Sequence, residues 1–240
     1  MVKRGDVLES KDDLPRNEAM KYRIGVVVCD SYRLALEGLV LLLKEASDIH
    51  LLGECEKGEE AVRLTREQGA DVLLTGVDIR DIGGLEIARR LGWCKGPPEV
   101  VLIGNPGSGP MASQALDSGA CGYLTRRCKP EEVTTAIRRA AEGIRYVDAD
   151  IAQDMIVEKL APKRSPIGML TVRELTVMAM VTSGCDRSTI SERLCISPKT
   201  VSSYRMRVMR KIGANNDVEV ALFCIRNGLF DPCLPERDSD

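Results

Sequence analysis

The sequence SPKTVSSYRMRVMRKIG, residues 197–213, carries the start and stop signals of a single helix. Ser197 can cap its first turn, Pro198 suits its first position, and Gly213 can end it. At 100° per residue, four apolar side chains share one stripe: Val201, Tyr204, Val208 and Ile212. The stretch therefore predicts an amphipathic helix with one side against a small core.

The opposite side of this helix has small polar residues at its centre and cations at its borders. These residues are Ser202, Ser203, Met206 and Arg210 on that side, Arg205 and Arg207 beside it, and Lys199 in the first turn. A helix in a DNA major groove must bring its centre to base edges and its borders to phosphates. A solvated basic face would give the same pattern, so the helix alone leaves both interpretations open.

The residues before this helix favour DNA binding. Residues 171–174 form a capping box that starts a helix running to about residue 183. A short helix is predicted over 187–194, and a turn of three or four residues leads from it into the basic helix. Two short helices joined in this way, the second one basic, make a helix-turn-helix. A last apolar helix is predicted over 218–227.

The charge distribution indicates that the chain has two parts of different character. Residues 161–230 contain 11 Lys and Arg against 5 Asp and Glu, a net charge of +6, whereas the rest of the chain sums to −8. A basic DNA-reading domain beside an acidic one has this asymmetry. The preferred partner is therefore double-stranded DNA.

Short apolar runs alternate with helical periods in the N-terminal half. Strands are predicted over 24–29, 50–55, 72–75, 100–103 and 122–125, and helices over 34–46, 58–66, 85–91, 111–116 and 130–142. Five such strands and helices predict an α/β fold with a doubly wound, five-stranded parallel sheet, followed by an all-α four-helix domain. The functional crevice should lie where the strands end, at Cys29–Asp30, Gly76, Gly104 and Thr125–Arg126.

Composition limits the remaining classes of function. Nine cysteines without a C-x-x-C spacing, and one histidine, argue against a zinc site, and we expect no cofactor. Buried thiols in a reducing cytosol are the favoured interpretation, and a redox pair such as Cys121 and Cys128 is the alternative. No apolar run can span a membrane, and the charged N-terminus has no secretory pattern, so we expect a cytoplasmic protein.

We predict five segments in chain order. Residues 1–22 form a flexible charged arm, 23–145 the α/β domain, 146–168 a linker helix and hinge, 169–230 the helix-turn-helix domain, and 231–240 a tail. The glycine-rich loop over 104–110 fits neither the P-loop nor the dinucleotide spacing, so nucleotide binding there is not favoured.

Several longer runs resemble one known family. They are GGLE at 83–86, GACGYL at 119–124, RY at 145–146, DIAQ at 150–153 and ISPKTVSSYR at 196–205. Together they resemble the NarL/FixJ (LuxR-type) response regulators, and within them the GacA/UvrY branch, over about residues 22–230. The resemblance implies a receiver domain followed by a DNA-binding domain, in a transcription regulator of a two-component system that is not an enzyme.

The chain departs from that family where its chemistry takes place. Family receivers are phosphorylated by a sensor kinase on an aspartate that ends the third strand, with Mg²⁺ held by two acidic residues after the first strand. A Thr or Ser and a Lys then contact the phosphoryl group. The matching positions here are Cys29–Asp30, Gly76, Gly104 and Arg126. Because Gly76 has no nucleophile and one carboxylate holds Mg²⁺ poorly, we predict a degenerate receiver that works without phosphorylation. Asp78 is the less favoured substitute acceptor.

The resemblance also assigns roles in the DNA-binding domain. Base-reading positions map onto Ser202, Ser203 and Met206. Phosphate contacts are expected from Lys199, Thr200, Arg205, Arg207, Arg210 and Lys211, with Tyr204 either among them or in the core. A homodimer on DNA is expected through Val218, Leu222 and Ile225. The alternative function is an interaction protein that pairs with a sensor kinase or a related regulator and titrates it.

Overall fold

The computed structural model describes residues 23–79, 81–94, 96–105, 109–160, 165–227 and 229. The predicted arm (1–22), the tail (231–240) and residues 161–164 of the predicted hinge lie outside these residues, as do residues 106–108 of the glycine-rich loop. Within the described part, an α/β half is followed by a helical half.

A parallel sheet forms the centre of the α/β half. Its strands are β1 (Ile24–Cys29), β2 (Ile49–Cys55), β3 (Val72–Gly76), β4 (Glu99–Gly104), β5 (Gly122–Thr125) and β6 (Tyr146–Val147), in the order β2-β1-β3-β4-β5-β6. The prediction of five strands is wrong by one, since β6 pairs with Gly122 and Tyr123 of β5. Two residues are too short a run to show the alternation by which strands are recognised.

Helices cover both faces of this sheet. They are α1 (Arg33–Glu45), α2 (Gly58–Glu67), α3 (Gly84–Leu91), α4 (Gly109–Asp117) and α5 (Pro130–Ala141), followed by α6 (Ala149–Leu160). Successive residues of β1 point to opposite faces, so that Val26 and Val28 pack with α1 and α5, while Val27 and Cys29 lie in the cluster with α2, α3 and α4. The doubly wound architecture is confirmed.

Four further helices form the C-terminal half: α7 (Val172–Thr182), α8 (Arg187–Leu194), α9 (Pro198–Ile212) and α10 (Asp217–Arg226). The capping signals act as predicted. Thr171 and Glu174 form a capping box, Ser197 accepts from the amide of Thr200, and Gly213 ends α9 with φ of 72°. Because only glycine adopts this left-handed conformation without strain, the end of α9 is readable from the sequence.

The two halves pack directly against each other. Helix α3 of the sheet half contacts α7, and the apolar cluster on that face of the sheet continues through Ile167, Leu170 and Leu175. Gln114 on α4 donates a 2.7 Å hydrogen bond to the carbonyl oxygen of Leu170. The helical half is therefore anchored to the face formed by α3 and α4.

Candidate DNA-binding surface and carboxyl edge of the sheet

One guanidinium group occupies the carboxyl edge of the sheet. Arg126, just after β5, donates to Asp30 after β1 (Nη1 to Oδ2, 2.9 Å) and to Asp78 after β3 (Nη2 to Oδ1, 2.9 Å). The Asp30 side chain is fully buried and that of Asp78 is 5% exposed. The ring of Tyr32 lies 4.7 Å from the guanidinium carbon. Arg126 therefore bridges two buried carboxylates beneath an aromatic ring, a favourable place for a cation.

The pKa shifts at this edge follow from burial and charge. Burial raises the pKa of Asp30, and the Arg126 charge offsets only part of that increase. Burial disfavours the charged form of Arg126, but Asp78 and Asp30 outweigh it and raise the guanidinium pKa above its ordinary value. Arg126 is thus a permanent cation at the position where the family resemblance expects a lysine.

Gly76 ends β3 directly beside this guanidinium. A Cβ atom added at Gly76 would lie 3.3 Å from Nη2 of Arg126 and 3.4 Å from Oδ2 of Asp30. The carboxylate of Asp78, two residues further on, already pairs with Arg126, and its Oδ2 is buried without a hydrogen-bond partner among the described residues. The structure therefore brings Asp30, Gly76 and Arg126 together as predicted.

Gly104, at the end of β4, leaves room for the side chain of Tyr123, which was not predicted from the sequence to lie at this edge. A Cβ atom at Gly104 would overlap the hydroxyl of Tyr123 and lie 2.6 Å from its Cζ. Tyr123, on β5, is fully buried. Its phenol fills the space beside Gly104, where the family resemblance expects a hydroxyl-bearing residue.

Cys29, another residue of the predicted edge, lies in the apolar cluster on the face of the sheet covered by α2, α3 and α4. It is fully buried and pairs in register with Cys55 of β2. Cys121 and Cys128, the redox pair considered from the sequence, lie just before and just after β5. The length of that strand separates them, so the structure does not bring this pair together.

The centre of the predicted reading face on α9 is open. Met206 is 66% exposed, Ser203 is exposed and Ser202 is half-buried. The two serine hydroxyls donate to carbonyl oxygens one turn earlier, those of Pro198 and Lys199. These side chains therefore lie close to the helix surface, and the backbone of α9 can approach a base edge.

The cations of α9 fall into two groups. Lys199, Arg207 and Arg210 are exposed, and Arg207 stacks on the ring of Tyr204 at 4.4 Å. Arg205 is exposed as well, but it forms a bidentate pair with Asp217. Lys211 donates to Glu174 at 2.7 Å and to the carbonyl oxygen of Met169 at 3.0 Å.

Other predicted positions serve the helix itself or remain exposed. Thr200 is half-buried and shares a 2.8 Å hydrogen bond with the Ser197 hydroxyl. Tyr204 is half-buried against the core that includes Val201, in accord with the apolar stripe. The proposed dimer residues on α10 form an exposed apolar patch: Val218 (69%), Leu222 (45%) and Ile225 (39%).

A buried carboxylate that sequence patterns do not predict joins the two halves. Glu86 on α3 is fully buried, 2.7 Å from Arg89, 3.0 Å from Arg90 and 3.1 Å from Arg173 of α7. Burial disfavours its ionisation, but hydrogen bonds from Arg89 and Arg90 and the charge of Arg173 hold its pKa below the ordinary value. Arg90 also donates to the carbonyl oxygen of Arg193 at the end of α8.

Two family models match the chain. The response regulator receiver domain matches residues 26–138, and the luxR family of bacterial regulatory proteins matches residues 168–224. Response regulator UvrY of Escherichia coli K12 is 36% identical over 208 residues, which cover 86% of this chain and 95% of UvrY. Response regulator GacA of Pseudomonas aeruginosa is 34% identical over 210 residues, covering 87% and 98%.

Solved structures of similar fold include RcsB of Salmonella typhimurium. One RcsB structure matches with a TM-score of 0.66 at 18% identity, over 86% of this chain and 98% of RcsB. RcsB bound to promoter rprA, in the presence of phosphomimetic BeF3−, matches with a TM-score of 0.65 at 20% identity, over 84% and 98%. At these identities the likeness concerns the fold. In the described part of the chain, no helix has the length and apolar character needed to cross a membrane.

Proposed function

The chain belongs to the LuxR-type family of response regulators, and from this premise we propose that it regulates transcription by binding double-stranded DNA without phosphorylation of its receiver. The observation that supports independence from phosphorylation is the Arg126 guanidinium, which bridges Asp30 and Asp78 beside Gly76. The relatives favour this function over that of an interaction protein that titrates a sensor kinase or a related regulator.

Phosphoryl transfer to a receiver needs a carboxylate in line with the phosphorus and a cation that offsets the charge. Gly76 supplies no carboxylate, and the carboxylate of Asp78 is already held by Arg126. A Mg²⁺ ion between Asp30 and Asp78 would have to displace a guanidinium that two carboxylates and the Tyr32 ring stabilise. Arg126 therefore replaces the positive charge that the metal and a phosphate-binding lysine supply in the family.

DNA binding is assigned to α9. Its exposed cations Lys199, Arg207 and Arg210 are available to phosphates. Arg205 and Lys211 are committed to Asp217 and Glu174, so they reach DNA only when those pairs open. Base reading falls to three residues, Ser202, Ser203 and Met206. These residue types make weaker base contacts than Arg or Asn, so direct discrimination between sequences should be modest.

The exposed patch on α10 supports a homodimer on DNA. Val218, Leu222 and Ile225 lie on one helix, and large apolar side chains that remain in water mark interaction sites. A two-fold pair of helix-turn-helix domains reads two half-sites about one helical turn apart. The proposed target is therefore a pseudo-palindromic sequence.

The test is DNA binding by fluorescence anisotropy across a salt series, with a pseudo-palindromic family-type site and a scrambled one. If about four phosphates are neutralised, log K should fall with log salt at a slope of about −3.6, and Lys199→Ala should reduce that slope by about 0.9. Lys44→Ala, which removes the same charge from an exposed position on α1, is the matched control and should change neither slope nor affinity. Equal binding to both DNAs, or a wild-type slope for Lys199→Ala, would refute the assignment to α9.

A further inference from the structure

Two thiols meet at the carboxyl edge of the sheet. Cys29 and Cys55 end the neighbouring strands β1 and β2 and lie directly opposite each other in the parallel register. Adjacent strands lie about 4.7–4.9 Å apart, which is inside the Cα separation of about 4.4–6.8 Å that a disulfide bond spans. Both side chains belong to the same apolar cluster, so both point to the same face of the sheet.

We propose that Cys29 and Cys55 are a redox site, in which a hydroperoxide converts the two thiols into a reversible disulfide bond. This proposal does not depend on DNA binding by α9. It rests on the pairing of the two cysteines across β1 and β2, and it assigns chemistry to a position, Cys29, where the family resemblance expects an acidic residue.

The surroundings of the two thiols set the order of events. Cys55 is 5% exposed, whereas Cys29 is fully buried, so a small oxidant reaches Cys55 first. The neighbouring Cys55 thiol, together with burial, raises the pKa of Cys29 well above its usual value. Cys29 therefore stays protonated and unreactive toward solvent until its neighbour is oxidised.

The chemistry balances in two steps. The Cys55 sulfur, as thiolate, attacks one peroxide oxygen, the O–O bond breaks, and hydroxide leaves and takes up the thiol's proton as water. The product is a sulfenic acid on Cys55. The Cys29 sulfur then attacks the Cys55 sulfur, the S–O bond breaks, and the hydroxyl leaves as water with the Cys29 proton. Two thiols and one hydrogen peroxide thus give one disulfide and two waters.

A disulfide bond between Cys29 and Cys55 would affect the carboxyl edge of the sheet, where Arg126 lies. Asp30 directly follows Cys29, and its carboxylate both accepts from the amide of Tyr32 and pairs with Arg126. A disulfide between the ends of β1 and β2 would constrain the backbone directly before Asp30. The receiver would then have an input, peroxide, that needs no phosphoacceptor.

The test treats the full chain with hydrogen peroxide, blocks the remaining thiols with N-ethylmaleimide, and digests with trypsin without reductant. The expected product joins the peptides 24–33 and 45–57 with the loss of two hydrogens, and dithiothreitol releases them. Cys195 is exposed and reports that the oxidant acted. Recovery of both peptides with alkylated thiols while Cys195 is oxidised would overturn the proposal, as would sulfinic acid on either cysteine without the link.

Two variants sharpen this result. Cys29→Ser removes the resolving thiol, so Cys55 should accumulate as a sulfenic acid that dimedone traps, and no linked peptide should form. Cys121→Ser is the matched control, because Cys121 is also buried but belongs to the cluster on the other face of the sheet. It should give the same linked peptide as the wild-type chain, and loss of the link in this variant would overturn the proposed pairing. The wild-type digestion decides the proposal even if Cys29→Ser fails to fold.

Discussion

At the scale of single residues, Arg126 defines the carboxyl edge of the sheet. Its guanidinium bridges Asp30 and Asp78 where the family's receivers would hold a metal ion and a phosphoryl group. The sequence predicted which residues meet at this edge, because the carboxyl ends of parallel strands lie together. It did not predict that Arg126 reaches back over Gly76 to both carboxylates, since side-chain direction after a strand is not encoded in periodicity.

Removing this guanidinium should destabilise the receiver. Arg126→Ala leaves Asp30 and Asp78 buried without their partner, and breaking a buried ion pair in this way costs about 3–5 kcal/mol of unfolding free energy. Urea denaturation of the full chain measures the change. Arg127→Ala alters an exposed neighbour and should stay within about 0.5 kcal/mol of wild type. A loss no larger for Arg126→Ala than for Arg127→Ala would contradict the bridging role.

Gly104 and Tyr123 form a second pair that only the structure shows. Gly104→Ala should lower the unfolding free energy by about 1–3 kcal/mol, because the new Cβ would displace the buried phenol. The backbone at Gly104 is not left-handed, so space rather than conformation sets this cost. Thermal and urea unfolding measure it.

A double-mutant cycle and a glycine control isolate the cause. In a Tyr123→Leu background, Gly104→Ala should cost clearly less than in the wild-type chain. Gly38→Ala, on an open face of α1 with nothing within 4 Å of the added atom, should leave stability unchanged or raise it. Equal costs of Gly104→Ala in both backgrounds would show that Tyr123 does not fill this space.

At the scale of helices and strands, the sequence predicted most of the fold. The strands β1 and β5 and the helix α8 have the predicted bounds, and α9 lies between its predicted caps, Ser197 and Gly213. These elements are long enough to show a hydrophobic period, or they carry the residue types that are preferred at helix caps. The exception is β6, whose two residues are defined by pairing with β5.

The contact between α3 and α7 could not be predicted from the sequence, because nothing in the sequence distinguishes Glu86 from an ordinary helix residue. The structure buries its carboxylate among Arg89, Arg90 and Arg173. Charged residues that lie close together in a sequence usually indicate a solvated surface. Here the packing of the two halves makes the site internal.

Glu86 makes the docking of the two halves sensitive to acid. Its pKa in the folded chain lies below the ordinary value of 4.5, so its contribution is complete above pH 4.5 and is lost as the pH falls further. Glu86→Gln should lower the unfolding free energy by about 3 kcal/mol at pH 7, with a deficit that shrinks below pH 4.5. Urea titrations at several pH values measure both effects.

The matched control for this prediction is Glu37→Gln. Glu37 pairs with Arg33 on the surface of α1, where both side chains are more than half exposed, so the change should be within about 0.5 kcal/mol at every pH. A pH-independent deficit for Glu86→Gln would indicate that packing, rather than the ionised carboxylate, accounts for the loss.

At the scale of the whole molecule, the receiver and the DNA-binding domain are joined while the centre of α9 stays open. Met206, Lys199, Arg207 and Arg210 face solvent although α3 and α4 hold the helical half. The charge asymmetry predicted two domains of different character, but it contains no information on how they dock. That arrangement depends on Glu86, Gln114 and the shared apolar cluster.

The measurement that tests the central proposal most directly is DNA affinity of the full chain with and without acetyl phosphate and Mg²⁺. Fluorescence anisotropy would compare a pseudo-palindromic family-type site with a scrambled one. We expect preferential binding to the site, with a dissociation constant that acetyl phosphate and Mg²⁺ leave unchanged. A clear tightening on their addition, accompanied by an acyl phosphate in the mass spectrum, would contradict it.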